Sequence, residues 1–167
     1  EDVKAVFISD AHLKSPADEG YRRLLSFLGR LRGRSDTASS KRHDDDVLPL
    51  DHLIIAGDFF DFWFARGDAI YPGFRPIVER LTALKEEGIR ISLCEGNHDF
   101  FLGDYFTARL GIDVYQEWAD LEMDGLRILV SHGDTVDRTN GRYLMLRRFL
   151  RSPFVFHLQG VLPLTLL

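Results

Sequence analysis

Apolar positions follow two periods along the chain. Compact runs rich in Val, Ile, Leu and Phe recur at residues 3–9, 52–56 and 89–94. Their length and composition are those of buried strands. Between them, apolar residues fall three and four apart: Tyr21, Leu24, Leu25 and Leu28 after Pro16 and Asp18, then Val78, Leu81 and Leu84 between the Pro72–Pro76 bracket and Gly88. This spacing lines one face of a helix, with proline near its start and glycine at its stop. Strands alternating with helices predict an α/β fold with a largely parallel sheet and helical crossovers.

Further along, the pattern predicts a short helix over 104–110, a strand over 111–115, and a hairpin of 119–123 and 126–131 turning at Asp124-Gly125. A basic helical stretch follows from about residue 140 to 151, and then an apolar, charge-poor tail over 153–167. Two segments interrupt the alternation. Residues 33–46 are polar and read as a surface loop, whose Asp44-Asp45-Asp46 triplet reads as solvated acid rather than a metal site. Residues 59–64 are unusually aromatic for a loop.

At 167 residues the chain is long enough for one domain with a real core. A net charge of −5 argues against a nucleic-acid polymer as partner, since such binders carry basic faces. The one cysteine, Cys94, sits in an apolar run, so there is no disulfide framework and a reducing compartment is expected. No uncharged apolar run reaches the ~18 residues of a spanning helix. No signal peptide or internal repeat is visible, and the chain does not open with Met.

The predicted strands end in polar residues: Asp10 and His12, then Asp58, then Asn97 and His98, then His132. In a parallel sheet these ends share one edge, where α/β folds gather their ligands. Carboxylate, amide and imidazole donors without thiolate suit Mn²⁺, Fe or Zn²⁺ in a catalytic rather than a structural site. Two such ions roughly 3.5–4 Å apart share a carboxylate. Asp10 and His12, two apart on an extended segment, point to one side and suit one ion. Asp58 is the natural bridge, and Asn97 and His132 suit the second ion. Each residue alone reads more simply as a cap or surface group; four strand ends together carry the metal reading. His43, His52 and His157 read as non-ligands.

Asp10-Ala11-His12, Gly57-Asp58-Phe59-Phe60-Asp61, Gly96-Asn97-His98-Asp99 and Ser131-His132-Gly133-Asp134 resemble, in order and spacing, the successive blocks of the calcineurin-like metallophosphoesterases. The resemblance implies a β-sandwich flanked by helices and a centre of two divalent metal ions, Mn²⁺ foremost with Fe or Zn²⁺ as alternatives. It implies Asp10 and His12 on the first ion, Asp58 bridging, and Asn97 and His132 on the second. His98 is then catalytic, stabilising the transition state or protonating the leaving oxygen, with Asp99 orienting its ring.

A narrower resemblance is to the UDP-2,3-diacylglucosamine hydrolases of lipid A synthesis. It rests on residues 59–63, on Gly96 to Gly103, and on His132-Gly133-Asp134-Thr135 followed by Tyr143, Arg147-Arg148 and Pro153. It implies a metallophosphoesterase core over 1–134 and a helical insertion over 135–167. The expected reaction splits a UDP-acyl-sugar into UMP and an acylated sugar 1-phosphate, in the cytoplasm and peripheral to the inner membrane. Asn140, Tyr143, Arg147 and Arg148 are the expected substrate-binding residues, with Leu144, Phe149, Phe154 and Phe156 along an acyl groove. The chain departs from those hydrolases at His98, where Arg is common, and at Asn140, where Asp is common. The family's late Gly-His-x-His block does not occur before Leu167, so the chain is expected to be part of a longer, partly represented fold. The alternatives are a general phosphodiesterase or phosphatase for nucleotide or sugar-phosphate substrates, and a catalytically impaired binding protein.

Overall fold

The structure, a computed structural model, describes residues 2–33 and 47–161. The acidic triplet and the end of the apolar tail lie outside the described residues. In chain order the elements are β1 (Ala5–Ile8), α1 (Glu19–Arg30), β2 (Leu31–Gly33), β3 (Leu48–Leu50), β4 (His52–Ala56), β5 (Ala65–Arg66), β6 (Ala69–Ile70), α2 (Arg75–Glu86), β7 (Arg90–Cys94), α3 (Gly103–Leu110), β8 (Asp113–Tyr115), β9 (Ala119–Met123), β10 (Leu126–Val130), α4 (Gly141–Leu150) and α5 (Pro153–Val161).

Strands β1, β4, β7 and β8 form one parallel sheet in the order β1-β4-β7-β8. Its central strands are apolar at successive positions because both of their faces are covered. Leu53, Ile55, Ile91 and Leu93 point into a core shared with Leu28 of α1 and with Ile77, Leu81 and Leu84 of α2. Ile54 and Cys94 point the other way, against Ala119, Leu121 and Met123. Those last three alternate with exposed residues along β9, which pairs antiparallel with β10. The sheet is therefore sandwiched between helices and a second, two-stranded sheet, as the α/β expectation required. Cys94 is a buried free thiol, pushed up to about 11 chiefly by burial.

Two small sheets lie outside the sequence expectation: parallel β2–β3 and antiparallel β5–β6, each too short to carry a readable period. The aromatic stretch at 59–64 is not an exposed loop. Phe59, Phe60 and Trp63 are buried, and the Phe60 ring lies 4.6 Å from that of Phe74 and 4.8 Å from that of Trp63. An isolated bridge between Leu13 and Phe60 holds this stretch beside the segment leaving β1.

Candidate metal centre

β1 and β4 are parallel neighbours, so the segments that leave them run side by side. Asp10 N–H donates to Gly57 O at 3.1 Å, His12 N–H to Asp58 O at 2.9 Å and Leu13 N–H to Phe59 O at 3.0 Å. The backbone there is unusual. Asp10, His12 and Asp58 all have positive φ, at 54°, 44° and 49°. The left-handed region costs a non-glycine residue roughly 1–2 kcal/mol. Such strain persists where the surroundings over-determine it, commonly at functional sites. Gly57 is needed between them: at φ 94° a Cβ would lie 2.5 Å from the His132 side chain. Gly96 is needed for the same reason, since its Cβ would meet Asp58 Oδ1 at 2.1 Å.

The Asp58 carboxylate is buried between two imidazoles. Its Oδ2 lies 3.6 Å from His12 Nε2 and 3.5 Å from His132 Nε2, while Oδ1 accepts the His98 N–H at 2.9 Å. Two clusters share it, His12–Asp58–His98 and Asp10–Asp58–His132, each with ligand atoms within 4.8 Å of one another. Asn97 joins the second, its Oδ1 being 3.0 Å from His132 Nε2. Asp10, His12, Asp58, Asn97 and His132 thus lie together, but not on one sheet edge as expected: the first four follow β1, β4 and β7 of the parallel sheet, whereas His132 follows β10 of the antiparallel hairpin on its other face. Asp10 groups with His132, whereas the sequence paired it with His12. The Ser9 hydroxyl donates to the Asp10 carboxylate.

Two oxygens, from Asn97 and Asp58, face the single Nε2 of His132, whose one hydrogen can serve only one of them. His132 Nδ1 is buried without a hydrogen-bond partner among the described residues. A cation held among these groups would take lone pairs from both oxygens and from Nε2. The thiolate-free donor set, with one shared carboxylate, fits divalent metal ions.

His98 is 43% exposed, and its Nδ1–H donates to Asp61 O at 3.2 Å. Asp61 closes the Gly57-Asp58-Phe59-Phe60-Asp61 motif, whose pattern alone assigns it no role. Its Oδ1 lies 3.5 Å from His12 Nδ1 and 3.9 Å from His98 Nδ1, and Lys14 Nζ is 3.7 Å from Oδ2. The signal was present: Asp61 is three residues beyond Asp58, on a segment tied to Leu13.

Asp99 does not orient the His98 ring. It is fully buried, and both of its oxygens accept backbone N–H groups: Oδ1 from Asp58 and Gly96, Oδ2 from Phe59 and Phe60. Burial pushes its carboxyl up to about 6, against the opposing pull of these hydrogen bonds. Its place is structural, beneath the site.

The expected substrate residues on α4 also divide. Asn140 caps the helix, accepting Tyr143 N–H at 3.2 Å. Tyr143 Oη–H and Arg147 Nε–H both donate to Asp134 Oδ2, at 2.6 and 2.8 Å, and Arg147 also lines the groove that Arg148 helps to form. Burial pushes the Asp134 carboxyl up, but Tyr143 and Arg147 outweigh it and hold the group below its usual range. Arg148 is exposed and helps to line an open groove of ≈ 890 Å³ with Arg138, Trp118, Val136, Leu144 and Met145. Phe149 and Phe154 are exposed, and the Phe156 ring packs 5.0 Å from that of Phe101. Arg151 and Glu95, to which the sequence pattern assigns no role, form a buried ion pair with Nη1 2.6 Å from Oε2. Four-residue spacing from Tyr143 through Arg147 was its only trace.

The family model for calcineurin-like phosphoesterases matches residues 3–159. A UDP-2,3-diacylglucosamine hydrolase of Pseudomonas syringae pv. tomato is 33% identical over 160 residues, covering 96% of this chain and 58% of that protein. One of Pseudomonas aeruginosa is 31% identical over 163 residues, covering 97% and 61%. The chain thus spans 58–61% of the length of these curated relatives. A solved structure of a protein of unknown function from Aquifex aeolicus shares 21% identity at a TM-score of 0.48, over 93% of this chain and 74% of that one. With the four motif blocks gathered around Asp58 and the family model matching residues 3–159 of this chain, the chain belongs to the calcineurin-like phosphoesterase family.

Proposed function

We propose that this chain carries the metal-binding core of a phosphoester or pyrophosphate hydrolase. The observation that carries this reading is Asp58, a buried carboxylate shared by two ligand clusters. Asp10, His12, Asp58, Asn97 and His132 would hold two divalent ions, Mn²⁺ foremost, with Asp58 between them. Such ions supply Lewis acidity that activates water at neutral pH and offsets charge on phosphoryl oxygens. His98, held through Nδ1–H by the Asp61 carbonyl, leaves Nε2 free; as the imidazolium it would donate from Nε2 to a phosphoryl or leaving oxygen. Asp61 faces both His12 and His98 and orients them.

For substrate we propose UDP-2,3-diacylglucosamine, cleaved to UMP and 2,3-diacylglucosamine 1-phosphate. The similarly named relatives support this, as does a groove that joins arginines to apolar side chains. Segment 135–167 would be the insertion that meets the substrate. Among the described residues no helix is long and apolar enough to cross a membrane. Exposed Phe149 and Phe154 fit a cytoplasmic protein that touches the inner membrane peripherally. A second reading, a phosphodiesterase for soluble nucleotide or sugar phosphates, is favoured by His98, which stands where the lipid A hydrolases commonly have Arg.

The test uses the full-length protein with Mn²⁺, comparing UDP-2,3-diacylglucosamine with bis-p-nitrophenyl phosphate. Metal-dependent turnover of the lipid substrate, abolished by Asp58→Ala, is expected. A strong preference for soluble diesters would favour the second reading. Absence of metal-dependent turnover on either would overturn both and leave a binding protein.

A further inference from the structure

Helix α4 docks in an unusual way. None of its residues is buried, although a surface helix ordinarily attaches through an apolar stripe. What holds it is a polar stripe at Tyr143, Arg147 and, at the helix end, Arg151, four residues apart and so on one face. Tyr143 and Arg147 converge on Asp134. Arg147 also reaches Glu117 Oε1 at 3.3 Å and Gln116 O at 3.4 Å. Arg151 donates to Glu95 Oε2 at 2.6 Å, Gly96 O at 2.7 Å and Gln116 O at 3.3 Å, and its guanidinium carbon lies 5.5 Å from the centre of the Phe100 ring. Glu95 is fixed in turn, its Oε1 accepting Leu102 N–H at 2.9 Å.

The anchors sit at telling places in the chain. Asp134 is two residues after His132, and Glu95 two residues before Asn97. Asn97 and His132 are the two side chains that meet at 3.0 Å. One helix face therefore grips both loops of this pair, from outside, through ion pairs that are largely shielded from water: the side chains of Arg147, Asp134, Arg151 and Glu95 are 12%, 9%, 13% and 3% exposed. Buried ion pairs are a poor source of net stability, because desolvation consumes most of their attraction; their best-attested use is to specify geometry.

We infer that the Tyr143–Arg147–Arg151 face of α4 is a clamp that sets the spacing of the Asn97 and His132 loops, so that docking of α4 and metal binding at that pair are coupled. The inference rests on the reading of Asn97 and His132 as metal ligands and needs no assumption about substrate. Coupling of this kind is reciprocal: a helix that favours the binding geometry is itself held more firmly when metal is bound. Arg151 and Arg147 are positioning residues, since they touch neither ligand.

Two measurements on the full-length protein test this. The first is Mn²⁺ binding by titration calorimetry for wild type, Asn97→Ala, Arg151→Lys and Arg151→Met, with melting curves to show that each is folded. Arg151→Met is expected to weaken one Mn²⁺ equivalent roughly 10–100-fold, the range for residues that orient metal ligands, with partial recovery in Arg151→Lys. The second needs no variant: amide hydrogen exchange of residues 141–150 in wild type should slow when Mn²⁺ is added. Unchanged exchange, or unchanged affinity in folded Arg151→Met while Asn97→Ala loses an equivalent, overturns the clamp alone. Unchanged binding in Asn97→Ala overturns the ligand reading, and the clamp with it.

Discussion

Asp99 Oδ2 accepts the Phe59 N–H at 2.7 Å, joining the segment after β7 to the segment after β4 beneath the candidate metal centre. Three more N–H groups share the carboxylate, from Phe60 on the same oxygen and from Asp58 and Gly96 on the other. Every proposed ligand from Asp58 to Asn97 hangs from this junction.

Replacing Asp99 by Asn keeps the shape but leaves one oxygen where there were two. A pair of buried N–H groups would then face an amide that is itself a donor. Buried donors left unmatched cost about 1–3 kcal/mol each, so Asp99→Asn should lower the unfolding free energy by about 2–5 kcal/mol. Denaturant unfolding measures this. A loss under about 1 kcal/mol would show that the carboxylate is not what joins the two segments.

Gly96→Ala probes the same junction by volume. The added methyl would lie 2.1 Å from Asp58 Oδ1 and 2.4 Å from Asp58 N, both buried and without room to retreat. Overpacking of this kind costs about 1–3 kcal/mol. Because the displaced atoms belong to the proposed bridging ligand, metal binding should suffer more than the fold. The expected outcome is a native far-ultraviolet circular dichroism spectrum with loss of tight Mn²⁺ binding; retained stoichiometry and affinity would refute the close approach.

The main sheet, α1, α2 and the β9–β10 hairpin were legible because burial imposes its period directly on the residue pattern. Ile54 and Ile55 serve opposite faces of β4, and both must be apolar. Side-chain partners leave no such trace. His98 and Asp99 are sequence neighbours, which suggested a shared task, but here one is exposed and the other is buried. Tyr143 and Arg147 have the spacing of a helix face, but nothing in that spacing says that the face turns inward to Asp134. The proposed ligands were legible as a group because each follows a strand end: Asp10, His12, Asp58 and Asn97 after β1, β4 and β7 of the parallel sheet, and His132 after β10 of the antiparallel hairpin packed against it.

Phe60 shows how far the aromatic stretch has moved from a surface role. It is fully buried, with the rings of Phe59, Trp63 and Phe74 within 5.0 Å of its own. Truncating a buried Phe to Ala removes its transfer free energy and leaves a cavity, a loss of roughly 3–5 kcal/mol. Phe60→Ala should therefore be among the most destabilising single changes away from the polar junction. A melting temperature within a few degrees of wild type would contradict the packing described.

His52, at the start of β4 and far along the strand from Asp58, should govern part of the acid sensitivity. It is buried, with Nε2 2.9 Å from Ser92 Oγ. Burial pushes its ring down from 6.5 to about 4, and nearby Arg90 adds to the effect. The native ring is therefore neutral above about pH 4, whereas an unfolded chain takes up the proton near pH 6.5. Between those limits the unfolded state binds more protons, so the His52 contribution is complete above pH 6.5 and is lost as pH falls toward 4. Over the whole window it amounts to on the order of 3 kcal/mol. His52→Gln keeps a hydrogen-bonding group near Ser92 but cannot titrate. Carboxylates titrate alike in both proteins, so the difference between their unfolding free energies, followed from pH 7 to about pH 4.5, isolates the histidine. Wild type should lose stability more steeply than His52→Gln as the solution is acidified, and parallel profiles would mean that the ring is not held neutral in the fold.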